Sequence, residues 1–193
     1  MAATVRATSP AEAEAAVAAI VLAFAADPAA RWSFPDPAVY LARFPAVVRA
    51  FGGRAFAAGT AFHVENFAGA ALWLPPGTGP DEEALMGIFG EAVPPELQEE
   101  VFSVFEQMGA FHPAEPHWYL PLIGVDPARR RQGHGAALLR HALARCDRDH
   151  VPAYLESSNP SGIPLYERHG FVALGRIQAG SSPPIVPMLR HAR

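Results

Sequence analysis

Hydrophobic and polar positions along the second half of the chain switch repeatedly between two periods. Short apolar runs rich in branched and aromatic residues indicate strands, and they alternate with segments in which apolar residues recur at helical spacing. Alternation of this kind predicts a mixed sheet with crossover helices, in the α/β or α+β class. From residue 117 onward the predicted elements are a strand at Trp118 to Val125, a helix at Gly133 to Arg148, a strand at Ala153 to Ser157, a helix at Ile163 to His169, and strands at Phe171 to Arg176 and Ile185 to Arg190.

The first half of the chain predicts helices on either side of one hairpin. The segment Ser9 to Glu12 supplies an N-cap, a proline in the first turn and a capping-box glutamate, and Asp27-Pro28 breaks the helix that follows. Between Asp81 and Met108 the prolines 94 and 95 divide a helical pattern into two helices, which would form an inserted cover. The other predicted elements are a strand at Thr4 to Thr8, helices at Ser9 to about Ala26 and at Pro37 to Phe51 with a kink or break at Pro45, and a hairpin of Thr60 to Val64 and Ala70 to Leu74.

Composition narrows the class of protein. A chain of 193 residues with 50% hydrophobic and 18% charged residues can bury one full core, so we expect a single domain over residues 1–193. All 15 cationic residues are arginine, and the formal net charge of -4 excludes the basic surface that a nucleic-acid-binding protein needs.

The single cysteine and the N-terminal sequence predict a location. Cys146 has no partner for an internal disulfide, which favours a reducing compartment. No secretory signal is recognisable, and the apolar stretch from Ala13 to Phe24 is too short to span a bilayer. The histidines lack close metal-ligand spacing. We therefore expect a cytoplasmic protein without a metal ion and without membrane or nucleic-acid partners.

The segment from Val125 to Ala136 has the features of an anion-binding turn. An apolar strand enters it, Pro127 ends the strand, and the glycines 133 and 135 remove side chains where backbone amides would approach a ligand. The following helix, whose strongest pattern covers Ala136 to Arg145, would direct its N-terminal amides and its positive dipole end at this place. The pattern predicts a diphosphate site.

Two common phosphate-binding turns do not fit this segment. A P-loop requires Gly-Lys-Ser/Thr, but Gly135 is followed by two alanines. A dinucleotide-binding turn requires a third glycine or alanine where Leu138 stands, and it also requires a shorter link between strand and first glycine, although Glu156 mimics the expected ribose-binding acid.

The pattern Arg130-x-x-Gly133-x-Gly135-Ala136 resembles the acetyl-coenzyme A signature of the GNAT acetyltransferase superfamily. Asn159, Tyr166 and the following Glu167 to Phe171 resemble the second conserved block of that superfamily. Three further segments are most similar to puromycin N-acetyltransferase and its relatives, while Gly162 departs from an alanine that is frequent in the superfamily. These segments are His117 to Leu120, Pro152 to Ser158 and Leu165 to Arg168.

The resemblance implies a mixed, mostly antiparallel sheet flanked by helices, with a split between the two parallel strands that end at Val125 and Ser157. Acetyl-coenzyme A would be the cosubstrate. Its pantetheine arm would bind the amides of the first strand and, on the other side, Asn159; its pyrophosphate would bind the amides of the glycine turn. The implied cofactor-binding residues are Ile123, Gly124, Val125, Arg130, Arg131, Gln132, Gly133, His134, Gly135, Ala136, Asn159 and Tyr166, and the His134 imidazole would cover the adenine side or face water.

Acetyl transfer to an amine needs a group that accepts a proton from nitrogen and a group that protonates the leaving sulfur. The resemblance gives the second role to the Tyr166 hydroxyl. Many relatives carry the base on the strand before the glycine turn, but Tyr119 stands there by spacing, so we take Glu156 as the candidate base. Glu65 and His117 are weaker candidates.

The resemblance therefore predicts an N-acetyltransferase, monomeric or homodimeric, that acetylates a primary amine of a small molecule by direct attack in a ternary complex. Aromatic residues would form an acceptor pocket and favour an amine with a bulky apolar portion; they are Trp32, Phe34, Trp73 and Phe111. Two alternatives stay open: a protein N-terminal or lysine acetyltransferase, and a noncatalytic acetyl-coenzyme A sensor.

Overall fold

A computed structural model of the chain describes residues 3–193, so that residues 1 and 2 of the predicted domain lie outside the description. Seven strands form one open sheet in the order β1-β2-β3-β4-β5-β7-β6, in which only β4 and β5 are parallel neighbours. This architecture confirms the predicted mixed and mostly antiparallel sheet. The strands are β1 (Val5–Ala7), β2 (Ala61–Val64), β3 (Gly69–Leu74), β4 (Trp118–Val125), β5 (Ala153–Ser157), β6 (Val172–Ala173) and β7 (Val186–Arg190).

Eight α-helices flank the sheet in the described part of the chain, and two of them were not predicted. The short helix after Asp27 was missed because the Asp-Pro pair was interpreted only as a break, whereas Asp27 is the N-cap and Pro28 opens the first turn. The helices are α1 (Ala13–Phe24), α2 (Pro28–Ser33), α3 (Pro37–Gly52), α4 (Arg54–Ala57), α5 (Glu82–Ala92), α6 (Gln98–Phe111), α7 (His134–Asp149) and α8 (Ile163–Arg168).

Several predicted boundaries need correction. The chain before α1 forms a 3-10 turn, in which the Glu12 carboxylate accepts hydrogen bonds from the amide and hydroxyl of Ser9. Pro45 does not divide α3, which continues through it. The strand predicted from Phe171 to Arg176 is too long, because only Val172 and Ala173 form the edge strand β6. These two residues pair with β7, and the chain then leaves the sheet.

Each face of the sheet carries its own core. One core lies under α1, α3, α5 and α6 and includes Tyr119 and Leu122, and the other lies under α7 and includes Trp118 and Leu120. The predicted pair of helices before β4 is therefore a cover over the first face, as expected.

A β-bulge interrupts the alternation of side chains along β4. Leu72 pairs with Leu122 and Leu74 pairs with Tyr119, so β4 has one residue more than β3 between these pairs. The extra residue lies beside Pro121, which has no amide hydrogen to give to the ladder. As a result Tyr119, Pro121 and Leu122 all line the face covered by α5 and α6.

Candidate active site

The parallel strands β4 and β5 part within the sheet. Their pairing covers only Trp118 with Ala153 and Tyr119 with Tyr154. Beyond these residues β4 stays paired with β3 as far as Val125, and β5 stays paired with β7 as far as Ser157. Each strand is thus held on its outer side while a gap opens between them, which confirms the predicted split.

The glycine turn lies after β4 and before α7. Arg131 and Gly133 both have left-handed backbone conformations, with φ of 62° and 86°, and such turns create concave groups of backbone amides. The first amide of α7 with an intrahelical acceptor is that of Ala137, which donates to the Gly133 carbonyl. The amides of residues 134–136 lie before it in the first turn, where a helix offers no carbonyl acceptor. This arrangement can bind an anion.

Other predicted cofactor-binding residues have contacts of their own. Arg130 Nη2 donates to the Ala23 carbonyl at the end of α1, at 3.1 Å. Asn159 Oδ1 accepts from the amide and hydroxyl of Ser161 and caps the 3-10 turn before α8. Of the polar side-chain atoms of Asn159, the amide nitrogen Nδ2 has no hydrogen-bond partner within the described residues and is available to a ligand.

His134 differs from the expectation for its side chain. Its imidazole does not face water, because the residue is buried and both ring nitrogens lack a hydrogen-bond partner within residues 3–193. Only the backbone amide of His134 fits the predicted role.

Tyr166 lies on α8, the short helix that follows β5. Its ring packs against Phe171 with a centroid distance of 6.1 Å, and a Cβ at Gly162 would come within 3.2 Å of the ring. Glycine at position 162 therefore leaves room for this tyrosine. Burial, and then the charge of Asp27, raise the pKa of the Tyr166 hydroxyl. The hydroxyl therefore keeps its proton at neutral pH.

A cavity of about 120 Å³ lies on the covered face beside the split, which is close to the size that holds a benzene ring. Trp32 and Phe34 line it, as predicted, together with aromatic and aliphatic side chains of α3, α5 and α6. Trp73 does not, because it points to the opposite face and belongs to the core under α7. Phe111 packs in a small third cluster instead.

Glu156 is the carboxylate of β5 that lines this cavity. Its side chain is 4% exposed, and its Oε1 atom has no hydrogen-bond partner within the described residues. Burial, and then the nearby Glu156 carboxylate, raise the pKa of both Tyr119 and Tyr154. These tyrosines therefore stay protonated.

Of the two weaker candidates for the base, one lies outside the cavity lining and the other already forms a hydrogen bond. Glu65 is exposed in the turn between β2 and β3, outside the cavity lining. His117 contacts the Glu115 carbonyl through Nδ1 at 2.7 Å, and burial lowers its pKa.

Asp27 is a cavity residue that sequence reasoning missed. Its Oδ1 accepts from the amides of Ala29 and Ala30, and its Oδ2 accepts from the Ser158 hydroxyl at 2.8 Å. Burial raises the pKa of Asp27 against the opposing effects of these donors and of the Arg130 charge. The Asp-Pro pair was visible as an N-cap signal, but its approach to Ser158 depends on the tertiary fold.

Residues 3–193 contain neither a cluster of metal-binding side chains nor a helix that could cross a membrane. No group of three or more His, Cys, Asp or Glu side chains in this part of the chain is arranged to hold a metal ion. None of the helices described has both the length and the apolar character required to cross a membrane.

Within residues 3–193, a mixed sheet split at its one parallel pair, with an amide-lined turn at the head of the following helix, is the architecture of the N-acetyltransferase fold. The chain belongs to the Acetyltransferase (GNAT) family, whose sequence model matches residues 27–171. The match begins at Asp27 and ends at Phe171, so it contains the glycine turn, Glu156 and Tyr166.

Individual proteins are similar to the chain to different degrees. An uncharacterized N-acetyltransferase of Schizosaccharomyces pombe is 28% identical in an alignment of 132 residues. The alignment covers 59% of this chain and 51% of that protein. The chain thus spans about half the length of this curated relative.

Solved structures extend the similarity over the whole fold. The histone acetyltransferase HPA2 and related acetyltransferase of Corynebacterium glutamicum has a TM-score of 0.72 and 29% identity, with 100% of this chain and 98% of that chain covered. A mosquito arylalkylamine N-acetyltransferase-like protein has a TM-score of 0.63 and 12% identity, with 98% and 100% covered. At that identity the second likeness concerns the fold alone.

Proposed function

We propose that residues 1–193 act as one acetyl-coenzyme A-dependent N-acetyltransferase domain whose acceptor is a primary amine of a small molecule. The observation that carries this proposal is the position of Glu156, a buried carboxylate with an unpartnered oxygen within the described residues, in a mostly apolar cavity beside the strand split. A cavity of this kind suits an amine with an apolar body, since the carboxylate binds the nitrogen and the aromatic wall binds the rest.

The glycine turn would hold the cosubstrate. The amides of residues 133–136 would bind the pyrophosphate, Arg130 and Arg131 would add positive charge with Gln132 between them, and the free edge of β4 at Ile123, Gly124 and Val125 would pair with the pantetheine arm. Asn159 would bind that arm through its amide nitrogen. Acetyl-coenzyme A supplies an activated acetyl thioester when it is bound.

The two proton transfers are assigned to Glu156 on β5 and to Tyr166 on α8, the helix that follows β5. The Glu156 carboxylate takes a proton from the substrate ammonium, so that the neutral nitrogen can attack the thioester directly in a ternary complex. The Tyr166 hydroxyl donates its proton to the sulfur as the C–S bond breaks, and the second proton that the nitrogen loses as the amide forms restores the Tyr166 hydroxyl. The raised pKa of Tyr166 keeps that proton in place until the thiolate develops.

The cavity is closed on one side by polar contacts between α2, α6 and the segment before β7. Trp32 Nε1 donates to the Ser181 hydroxyl at 3.1 Å, and Ser181 in turn donates to the Glu100 carboxylate through both its amide and its hydroxyl. Gln107 and Gln178 exchange two further hydrogen bonds. These contacts join the three segments beside the small cavity, which supports a small acceptor.

Protein acetylation is the second candidate function, because the Corynebacterium relative is named a histone acetyltransferase. Several solved neighbours are named for small amines instead, among them the mosquito arylalkylamine enzyme. The puromycin N-acetyltransferase-like subgroup is one form of the proposal, and puromycin itself tests it. The unpaired, buried Cys146 is compatible with a reducing compartment such as the cytoplasm.

The test is a thermal-shift titration followed by an amine panel. Acetyl-coenzyme A is expected to raise the unfolding temperature, with a stabilisation that grows as the logarithm of one plus the ratio of its concentration to Kd. The panel then compares arylalkylamines, puromycin, polyamines and a lysine-containing peptide. Turnover of the peptide alone would support the second candidate, and binding of acetyl-coenzyme A without turnover of any acceptor would support a sensor.

A further inference from the structure

His112 lies immediately after α6. Within residues 3–193 it is the only basic residue whose side-chain nitrogen lies within salt-bridge distance of the Glu156 carboxylate. Its Nδ1 atom is 3.7 Å from Glu156 Oε1, which is the oxygen without a hydrogen-bond partner. This distance is longer than a hydrogen bond, but contacts between catalytic groups often shorten when a substrate binds, and one water can bridge them. The two residues are separated by 44 positions in sequence and meet only through the fold.

Three aromatic rings surround the His112 imidazole. The ring centroids of His117, Tyr119 and Tyr154 lie 4.7, 4.7 and 4.8 Å away, all in edge-to-face orientation. Such contacts fix the plane of a ring more strongly than unspecific apolar packing does. The imidazole is therefore held in the orientation that turns Nδ1 toward Glu156.

Exposure differs sharply between the two partners. The Glu156 side chain is 4% exposed, whereas that of His112 is 32% exposed. The titratable groups that face His112 are Glu156 and Tyr154 from β5, Tyr119 from β4 and His117 from the segment before β4. Both tyrosines keep their protons because burial raises their pKa.

His117 is less suitable as an exit for protons from Glu156. Its Nδ1 contacts the Glu115 carbonyl, so this nitrogen carries the hydrogen and is engaged in a hydrogen bond. Burial also lowers the pKa of His117, which disfavours the imidazolium that a relay passes through. Its contact with His112 is an aromatic one.

We propose that His112 is the relay that returns the Glu156 carboxyl proton to solvent after each acetyl transfer. The proton that leaves the substrate ammonium binds Glu156, passes to His112 Nδ1, and a proton leaves the imidazole at its exposed side to water. Glu156 ends as a carboxylate and His112 as a neutral imidazole with its hydrogen on Nδ1. Exchange with water then moves this hydrogen to Nε2, so that one proton in total reaches solvent and Nδ1 can accept the next one. This inference rests on the proposed function, because it assigns a positioning and relay residue to the same site.

The test compares wild type with His112→Phe and His112→Gln. Phenylalanine keeps the aromatic contacts and glutamine keeps polarity, but neither can carry the proton. We expect kcat for a turned-over amine to fall about tenfold or more in both variants. We also expect added imidazole to raise kcat of His112→Phe in a concentration-dependent way while it leaves wild type unchanged. The exposed His191→Gln serves as a control that behaves as wild type.

Each outcome decides the proposal. Restoration by imidazole in a folded His112→Phe supports the relay, since a purely structural residue would not be replaced by a small base in solution. Unchanged kcat in both variants, or loss of kcat that imidazole does not restore, overturns the relay and leaves the proposed function intact. If wild type turns over no amine, the proposed function and the relay fail together.

Discussion

The hydroxyl of Ser158 donates a hydrogen bond of 2.8 Å to Asp27 Oδ2 across 131 positions of sequence. This bond joins the residue after β5 to the N-cap of α2, and both residues line the candidate acceptor cavity. The wall of the cavity is thus held by a polar contact inside an apolar environment, where loss of one partner is costly.

Replacing Ser158 by alanine removes the donor and leaves the buried Asp27 oxygen without a partner. We expect Ser158→Ala to lower the free energy of unfolding by about 1 to 3 kcal/mol and to raise KM for the amine, because the wall is no longer fixed. Denaturant unfolding and steady-state kinetics measure both effects. In an Asp27→Ala background, which lacks the carboxylate, the same change should cost much less, and equal costs in the two backgrounds would show that the bond contributes nothing.

We expect the replacement of Glu156 to affect activity and stability in different ways. Glu156→Gln removes a buried charge whose Oε1 has no hydrogen-bond partner within the described residues, so the unfolding temperature should stay equal or rise. Loss of the base should lower kcat by about two to four orders of magnitude. Calorimetry and amine turnover test this pair of effects, with the exposed Glu106→Gln as the matched control. A less stable but active Glu156→Gln would contradict the assignment.

Gly124 is required by the close approach of α1 to β4. A Cβ at this position would lie 2.5 Å from the Cβ of Ala23, and overpacking of this kind costs about 1 to 3 kcal/mol. We expect Gly124→Ala to destabilise the fold by such an amount and Ala23→Gly to relieve it in part. A double-mutant cycle in denaturant measures the coupling, and strictly additive effects would argue against the contact.

His117 makes stability depend on pH. Burial lowers its pKa in the folded protein below the ordinary value of 6.5, so the unfolded chain binds a proton first as the pH falls. The free energy of unfolding should therefore decrease as the pH drops from 6.5 toward the folded-state pKa. His117→Gln should flatten this part of the stability curve, whereas His191→Gln should not; identical curves for wild type and His117→Gln would refute the effect.

Most of the architecture could be predicted from the sequence, and part of the candidate site could be named from it, for identifiable reasons. The glycine turn, Tyr166 and Glu156 are local signals within one strand-turn-helix unit and the block that follows it, so order and spacing suffice. The sequence did not reveal the contacts of His112, Asp27 and Ser158, because these contacts join segments that are distant in the chain. Trp73 was placed on the wrong face because an apolar strand buried on both sides does not show which core each residue joins.

Amine-dependent release of the coenzyme A thiol, followed together with the mass of the amine product, tests the central claim most directly. Wild type should release thiol only when both acetyl-coenzyme A and a small apolar primary amine are present and should yield the N-acetylated amine. Tyr166→Phe should bind acetyl-coenzyme A but release thiol at least about a hundredfold more slowly. No amine-dependent release by wild type, or an undiminished rate in Tyr166→Phe, would contradict the account.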